Sequence, residues 1–226
     1  MRILALLAAI VAIAAAVPVA AAARAACFDP SASPDAIIAD CSAKIQAPGT
    51  APPDVAYAYE NRGAAWIAKG DLDRAVADFS ASLQLDPDHP AVLQDRARAL
   101  ERKGSLELAI ADFDRIIGLQ PNDAEIYFER GSVFAQEGQL DRAIADFDQS
   151  IRLRPDSAGV CASRGVAWGR KGDLDRAIAD LDQAIRLKPD FAAAYTNRGV
   201  AWHKKGDLAR AQADLDKGAA LAAGHH

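Results

Sequence analysis

Cys27, Cys41 and Cys161 are the chain's three thiols, and His89, His203, His225 and His226 are its four imidazoles. Thiols and imidazoles are the groups best fitted to nucleophilic, redox or metal chemistry near neutral pH. Their spacing here supplies little of it. No His-Glu-x-x-His pattern occurs, and no glycine-rich phosphate loop follows a strand pattern. His225 and His226 give two ligands at a chain end, too few for a zinc centre. His203, beside Trp202, reads as a surface residue. The expectation is a non-enzymatic chain with no catalytic constellation, no metal site and no cofactor.

The cysteines are read through what precedes them. Met1-Arg2 gives a short positive start, Ile3 to Ala16 is an unbroken apolar run, and Val17-Pro18 interrupts it before small residues continue to Ala26. This is the layout of a secretory signal over residues 1–25, with cleavage near 23–25 at Ala21-Ala22-Ala23 or Ala23-Arg24-Ala25. The apolar stretch also reaches the ~20 residues that span a bilayer, so an uncleaved anchor is the alternative, and the membrane is a partner only in that case. The localisation expected is periplasmic or secreted. In an oxidising compartment Cys27 and Cys41, 14 positions apart, pair naturally as a disulfide, the alternative being two free thiols. Such a bridge contributes about 3 kcal/mol. Cys161 stands alone, aligned with Tyr59, Leu93, Tyr127 and Tyr195, and reads as a buried apolar filler.

Charge excludes one class of partner. Lys and Arg number 26 against 31 Asp and Glu, a formal net charge of −5. A phosphate-binding surface needs a basic excess or stripe, so no nucleic-acid role is expected.

The elements that position all of these residues repeat every 34 positions. Gly63, Ala97, Gly131, Gly165 and Gly199 form a small-residue column. Trp66, Leu100, Phe134, Trp168 and Trp202 follow it, then Ala75, Ala109, Ala143, Ala177 and Ala211, then Phe79, Phe113, Phe147, Leu181 and Leu215, with Pro87, Pro121, Pro155 and Pro189 closing the copies. A fixed period without insertions describes a stack of helix pairs. Small residues at Gly63 and Ala75 let two helices approach, and Trp66 and Phe79 fill the space beside them. Lys69-Gly70-Asp71 and its copies supply a helix stop at glycine and an N-cap for the next helix.

These columns resemble the tetratricopeptide repeat family, in copies at 56–89, 90–123, 124–157, 158–191 and 192–225. The resemblance implies an all-α, right-handed α-solenoid of five helix-turn-helix repeats. It departs from the family in one column: Arg62, Arg96, Arg130, Arg164 and Arg198 stand where Leu is usual. Asp78, Asp112, Asp146, Asp180 and Asp214 recur in step with them. A structural ladder of Arg–Asp pairs is expected, the alternative being a basic stripe for an anionic partner.

Both ends of the array are legible. Ile38-Ala39-Asp40-Cys41 repeats the second-helix text Ile178-Ala179-Asp180-Leu181, so residues 26–55 form a cap helix and a Pro-rich loop. At the other end Gln212 replaces the apolar column Val76, Ile110, Ile144, Ile178, and Ala219 replaces Leu83, Ile117, Ile151, Ile185. A last helix facing water explains both changes.

By resemblance, first helices line a concave face that binds a protein or peptide. On it fall Phe128, Ser132, Val166 and Val200, small or apolar, flanked by Arg98, Arg102, Arg170 and Lys204. This describes a shallow apolar groove with basic margins, suited to a peptide bearing acidic groups. The columns Glu60, Gln94, Phe128, Ala162, Thr196 and Ala64, Arg98, Ser132, Val166, Val200 lack the Lys and Asn with which relatives hold chaperone tails, so that partner is not expected. The expectation is a monomeric exported interaction module with an unidentified protein or peptide partner. A cell-envelope assembly protein, acting by self-association or an uncleaved anchor, is the alternative.

Overall fold

The computed structural model describes residues 26–29 and 31–224; the leader expected over residues 1–25, and His225 and His226, lie outside them. Eleven helices and no strand occur among the described residues. They are α1 (Pro34–Gln46), α2 (Pro52–Ala68), α3 (Leu72–Leu85), α4 (Pro90–Lys103), α5 (Leu106–Leu119), α6 (Ala124–Glu137), α7 (Leu140–Leu153), α8 (Ala158–Lys171), α9 (Leu174–Leu187), α10 (Ala192–Lys205) and α11 (Leu208–Ala222). Each packs on its neighbours in sequence, so α2 to α11 make five antiparallel pairs.

The turn inside each pair is set by one glycine. Gly104 ends α4 at φ +80°, and Gly138, Gly172 and Gly206 end α6, α8 and α10 at +85° to +90°. The residue after each glycine donates its N–H back five positions, as Ser105 does to the Leu100 carbonyl at 2.9 Å. That bond closes the helix end in a left-handed cap. Asp71, Asp173 and Asp207 then accept the backbone N–H of Arg74, Arg176 and Arg210, capping the next helix as expected. Ser105 and Gln139, in the same column, make no side-chain cap bond.

Small residues set the spacing within a pair. A Cβ added to Gly131 would stand 2.9 Å from the Phe147 ring, and one on Gly63 2.7 Å from Phe79. Phe79 and Phe113 are fully buried and Phe147 is 1% exposed, so the rings have little room to move.

The Arg and Asp columns form the expected ladder. Arg130 donates from Nε to Asp146 Oδ2 at 2.8 Å and from Nη2 to Oδ1 at 2.7 Å, and the other four copies match within 0.1 Å. Its third arm, Nη1, reaches Asp114 of the preceding repeat at 2.5 Å, and Arg164 likewise reaches Asp148. In the first two repeats the same arm meets hydroxyls, Ser42 at 2.8 Å and Ser80 at 3.1 Å. Every rung thus ties first helix, second helix and preceding repeat. The Asp146 hydrogen bonds raise the Arg130 pKa against the opposing effect of burial. With all five guanidiniums committed to scaffold carboxylates, the reading of this column as a free basic stripe is set aside.

The aromatic column fills space against the core as expected, with Leu100 and Phe134 buried and Trp66 and Trp168 packed on the cluster, but its tryptophans do more. Trp66, Trp168 and Trp202 are only half-buried, and each lies under an arginine eight residues on: Arg74 at 4.2 Å, Arg176 at 4.5 Å and Arg210 at 4.7 Å from the ring centroid. Arg142 covers Phe134 at 3.8 Å. Where the aromatic gives way to Leu100, the arginine gives way to Leu108, which is 60% exposed. Cation and ring are present together or absent together, as a stacking pair requires.

Both ends are closed as the sequence indicates. Cys27 and Cys41 are joined by a disulfide and buried against Ala58, fixing the N-terminal segment to α1 and α2. At the far end Gln212 and Ala219 are exposed, whereas Ile110, Ile144 and Ile178 are buried beneath the next repeat.

Candidate functional site

First helices form the inner layer. α2 packs on α4, α6 on α8 and α8 on α10, whereas no pair of second helices approaches comparably among the described residues. The stack therefore bends with first helices on its inside.

The last three repeats open a groove on this face. A cleft of about 480 Å³ runs across α6, α8 and α10, with Phe128, Ser132, Val166 and Arg170 in its walls beside Ala162, Phe191 and Asn197. It continues into a smaller cleft of about 120 Å³, where Val166 and Arg170 meet Val200 and Lys204. Six of the eight residues expected at a site thus share one surface. The Phe128 ring leans on Phe147 with centroids 6.0 Å apart, so the ring position is set from the core. Val166 and Val200 are 37% and 45% exposed and offer apolar contact to a partner. Arg170 is held across the cleft by donating to the Ala135 carbonyl, which leaves other guanidinium N–H groups open. Neither Arg170 nor Lys204 carries an ion pair among the described residues.

Arg98 and Arg102 do not join this groove. Arg98 is committed to Glu129, donating from Nε to Oε1 at 3.0 Å and from Nη2 to the same oxygen. That oxygen also accepts Gln94 Nε2 at 3.1 Å. Arg102 is exposed one turn further along α4 and lines neither cleft. Of the four basic residues expected at the margins, Arg170 and Lys204 are thus the two that line the clefts.

Sequence reading misses an acidic group in the first three repeats. Glu60, Asp95, Glu101 and Glu129 are half-buried near one another, and Glu129 Oε2 is enclosed without a hydrogen-bond partner among the described residues. Burial raises the Asp95 pKa, with Arg98 opposing; burial and then Glu129 raise that of Glu101. Glu60 is likewise raised by burial, opposed by His89 and reinforced by Asp95 and Asp86. One column, Asn61, Asp95, Glu129, Ser163, Asn197, carries part of the signal, being acidic in its second and third copies only.

No Cys, His, Asp or Glu lines either cleft of the groove. Cys161 is 2% exposed, and burial, aided by Asp180, pushes its thiol up, away from the reactive thiolate. No cluster of three His, Cys, Asp or Glu able to hold a metal occurs among the described residues. No described helix is long and apolar enough to cross a membrane. A hollow of about 600 Å³ beside Cys27 and Lys44 shares no residue with the groove.

Known proteins place the architecture. Tetratricopeptide repeat models match residues 56–89 and 95–158, and a TPR repeat model matches 169–206. No curated protein matches the chain. Among solved structures, a crystal structure of MamA is 26% identical with a TM-score of 0.66, covering 70% of this chain and 93% of its own. MamA from Desulfovibrio magneticus is 21% identical with a TM-score of 0.72, covering 77% and 98%. YrrB, described as a TPR protein with an unusual peptide-binding site, is 20% identical with a TM-score of 0.61, covering 74% and 86%. Five helix pairs, the matched repeat models and these neighbours agree: the chain belongs to the tetratricopeptide repeat family.

Proposed function

We propose that this protein is an exported, non-enzymatic interaction module that binds a protein or peptide partner in the concave groove of its last three repeats. The observation that carries the reading is the continuous cleft from Phe128 through Val166 to Val200, apolar along its floor and edged by Arg170 and Lys204. Groups of that kind recognise an extended segment without chemical change. Because the Arg–Asp ladder fixes the helices, little ordering entropy is spent on the scaffold when a partner docks. That YrrB is described as having a peptide-binding site supports this assignment by fold. Export rests on the leader over residues 1–25 and agrees with a disulfide between Cys27 and Cys41.

Crosslinking in the intact cell envelope, followed by recovery of the protein, tests the reading. Phe128→Ala is expected to lose partners that the wild type recovers, while Arg102→Glu, outside the cleft, retains them. Recovery of the same partners with Phe128→Ala overturns the groove assignment. Retention of the chain in the cytoplasm overturns export.

A further inference from the structure

The concave face has two electrical halves. In repeats four and five the groove carries Arg170 and Lys204, and no acidic side chain lines either cleft there. Toward repeats one to three the same layer of first helices carries an acidic excess: half-buried Glu60, Asp95 and Glu101 stand against the exposed cation Arg102, while Glu129 and Arg98 are spent on each other. The change happens within one continuous layer, so a ligand long enough to fill the cleft and run on toward α4 meets both signs. Like charges brought together in a desolvated site are costly, and opposite ones fix orientation.

From this charge complementarity we infer that the occupant is an extended peptide of bipolar character: an acidic end over Arg170 and Lys204, small apolar side chains against Phe128 and Val166, and a basic end directed at Asp95 and Glu101. The inference rests on the groove assignment above and adds a direction to it. A uniformly acidic peptide fits the basic half but is repelled beyond Phe128. A uniformly basic one is repelled by Arg170 and Lys204. The partial burial that raises the Asp95 and Glu101 carboxyls also marks them as groups that gain when a cation arrives.

Three fluorescein-labelled twelve-residue peptides test this on the full mature chain by fluorescence anisotropy. All share a central Ala-Val-Leu-Ala segment; one is flanked by Lys-rich and Asp-rich ends, one by Asp-rich ends and one by Lys-rich ends. The bipolar peptide is expected to bind about fivefold or more tightly than either uniform one at low salt, the preference shrinking as salt rises. Asp95→Asn with Glu101→Gln should abolish its advantage over the acidic peptide, and Arg170→Ala with Lys204→Ala its advantage over the basic one. Equal binding of all three that Phe128→Asp removes overturns the bipolar inference and leaves the groove standing. Failure of all three to bind overturns the inference too, and the envelope crosslinking then decides the groove by itself.

Discussion

Arg130 meets Asp146 through two parallel hydrogen bonds of 2.8 and 2.7 Å, with the carboxylate 9% and the guanidinium 18% exposed. A side chain so placed answers the question its sequence position raises. An arginine beside the small-residue column of a first helix can serve a partner or the scaffold, and here all its arms are bonded to scaffold carboxylates, Asp146 and Asp114. Removing Arg130 leaves a buried carboxylate uncompensated. Arg130→Met is expected to cost about 3 kcal/mol in urea unfolding, and Arg130→Met combined with Asp146→Leu to cost clearly less than the sum of the singles. Peptide binding should survive in whatever fraction stays folded. Unchanged stability would contradict the ladder.

The glycine column gives a steric prediction. With a Cβ 2.9 Å from the Phe147 ring, Gly131→Ala should destabilise by about 1–3 kcal/mol as the ring or helix α6 shifts. Gly118 has nothing within 4 Å of an added Cβ, and Gly118→Ala should be neutral or stabilising by up to ~1 kcal/mol, as expected within a helix. Thermal unfolding of the pair separates crowding from propensity.

Stacking of arginine on the aromatic column predicts a paired effect. Arg142→Ala uncovers Phe134 and should cost roughly 1 kcal/mol. Leu108→Arg by itself, beside Leu100, should change little, whereas Leu108→Arg combined with Leu100→Trp should recover a favourable coupling in a double-mutant cycle. Zero coupling would show that the shared pattern of the two columns has another origin.

Carboxyl groups on the inner face predict a pH dependence. The pKa of Asp95 is raised in the folded chain, so its ionisation is harder there than in the unfolded chain. For a raised acid the destabilisation is absent below the ordinary carboxylate pKa and grows as pH rises through and above it. Asp95→Asn should therefore raise the melting temperature at about pH 7, with the gain over wild type fading near pH ~3.5, below the ordinary Asp pKa. A gain that is equal at both pH values would trace to packing and not to charge.

Much of the fold is legible from spacing alone. The 34-residue period names the helices, Gly70 and its copies name their ends, and Gln212 and Ala219 name the water-facing last helix, because each depends on local geometry or on one face of one helix. Arg98 escapes a column reading as a groove margin because its partner, Glu129, lies 31 positions away in the next repeat, and a column read one repeat at a time does not pair with its neighbour. The acidic half escapes for a similar reason: Glu60, Asp95 and Glu101 occupy different columns, and Glu60 of α2 and Glu129 of α6 come beside α4 only when the first helices stack. Trp66 reads as a space-filler, yet its exposed face and its arginine cover follow from the eight-residue offset to Arg74, which the sequence contains.

The groove itself is best tested by photocrosslinking from single positions of the full chain in the cell envelope. A benzophenone amino acid placed at Val166 faces the cleft, and one at Ala179 sits on the exposed surface of second helix α9. Partner adducts are expected from position 166, lost when Phe128→Asp is added, and not from position 179. Adducts from 179 with none from 166 would contradict binding in the concave groove.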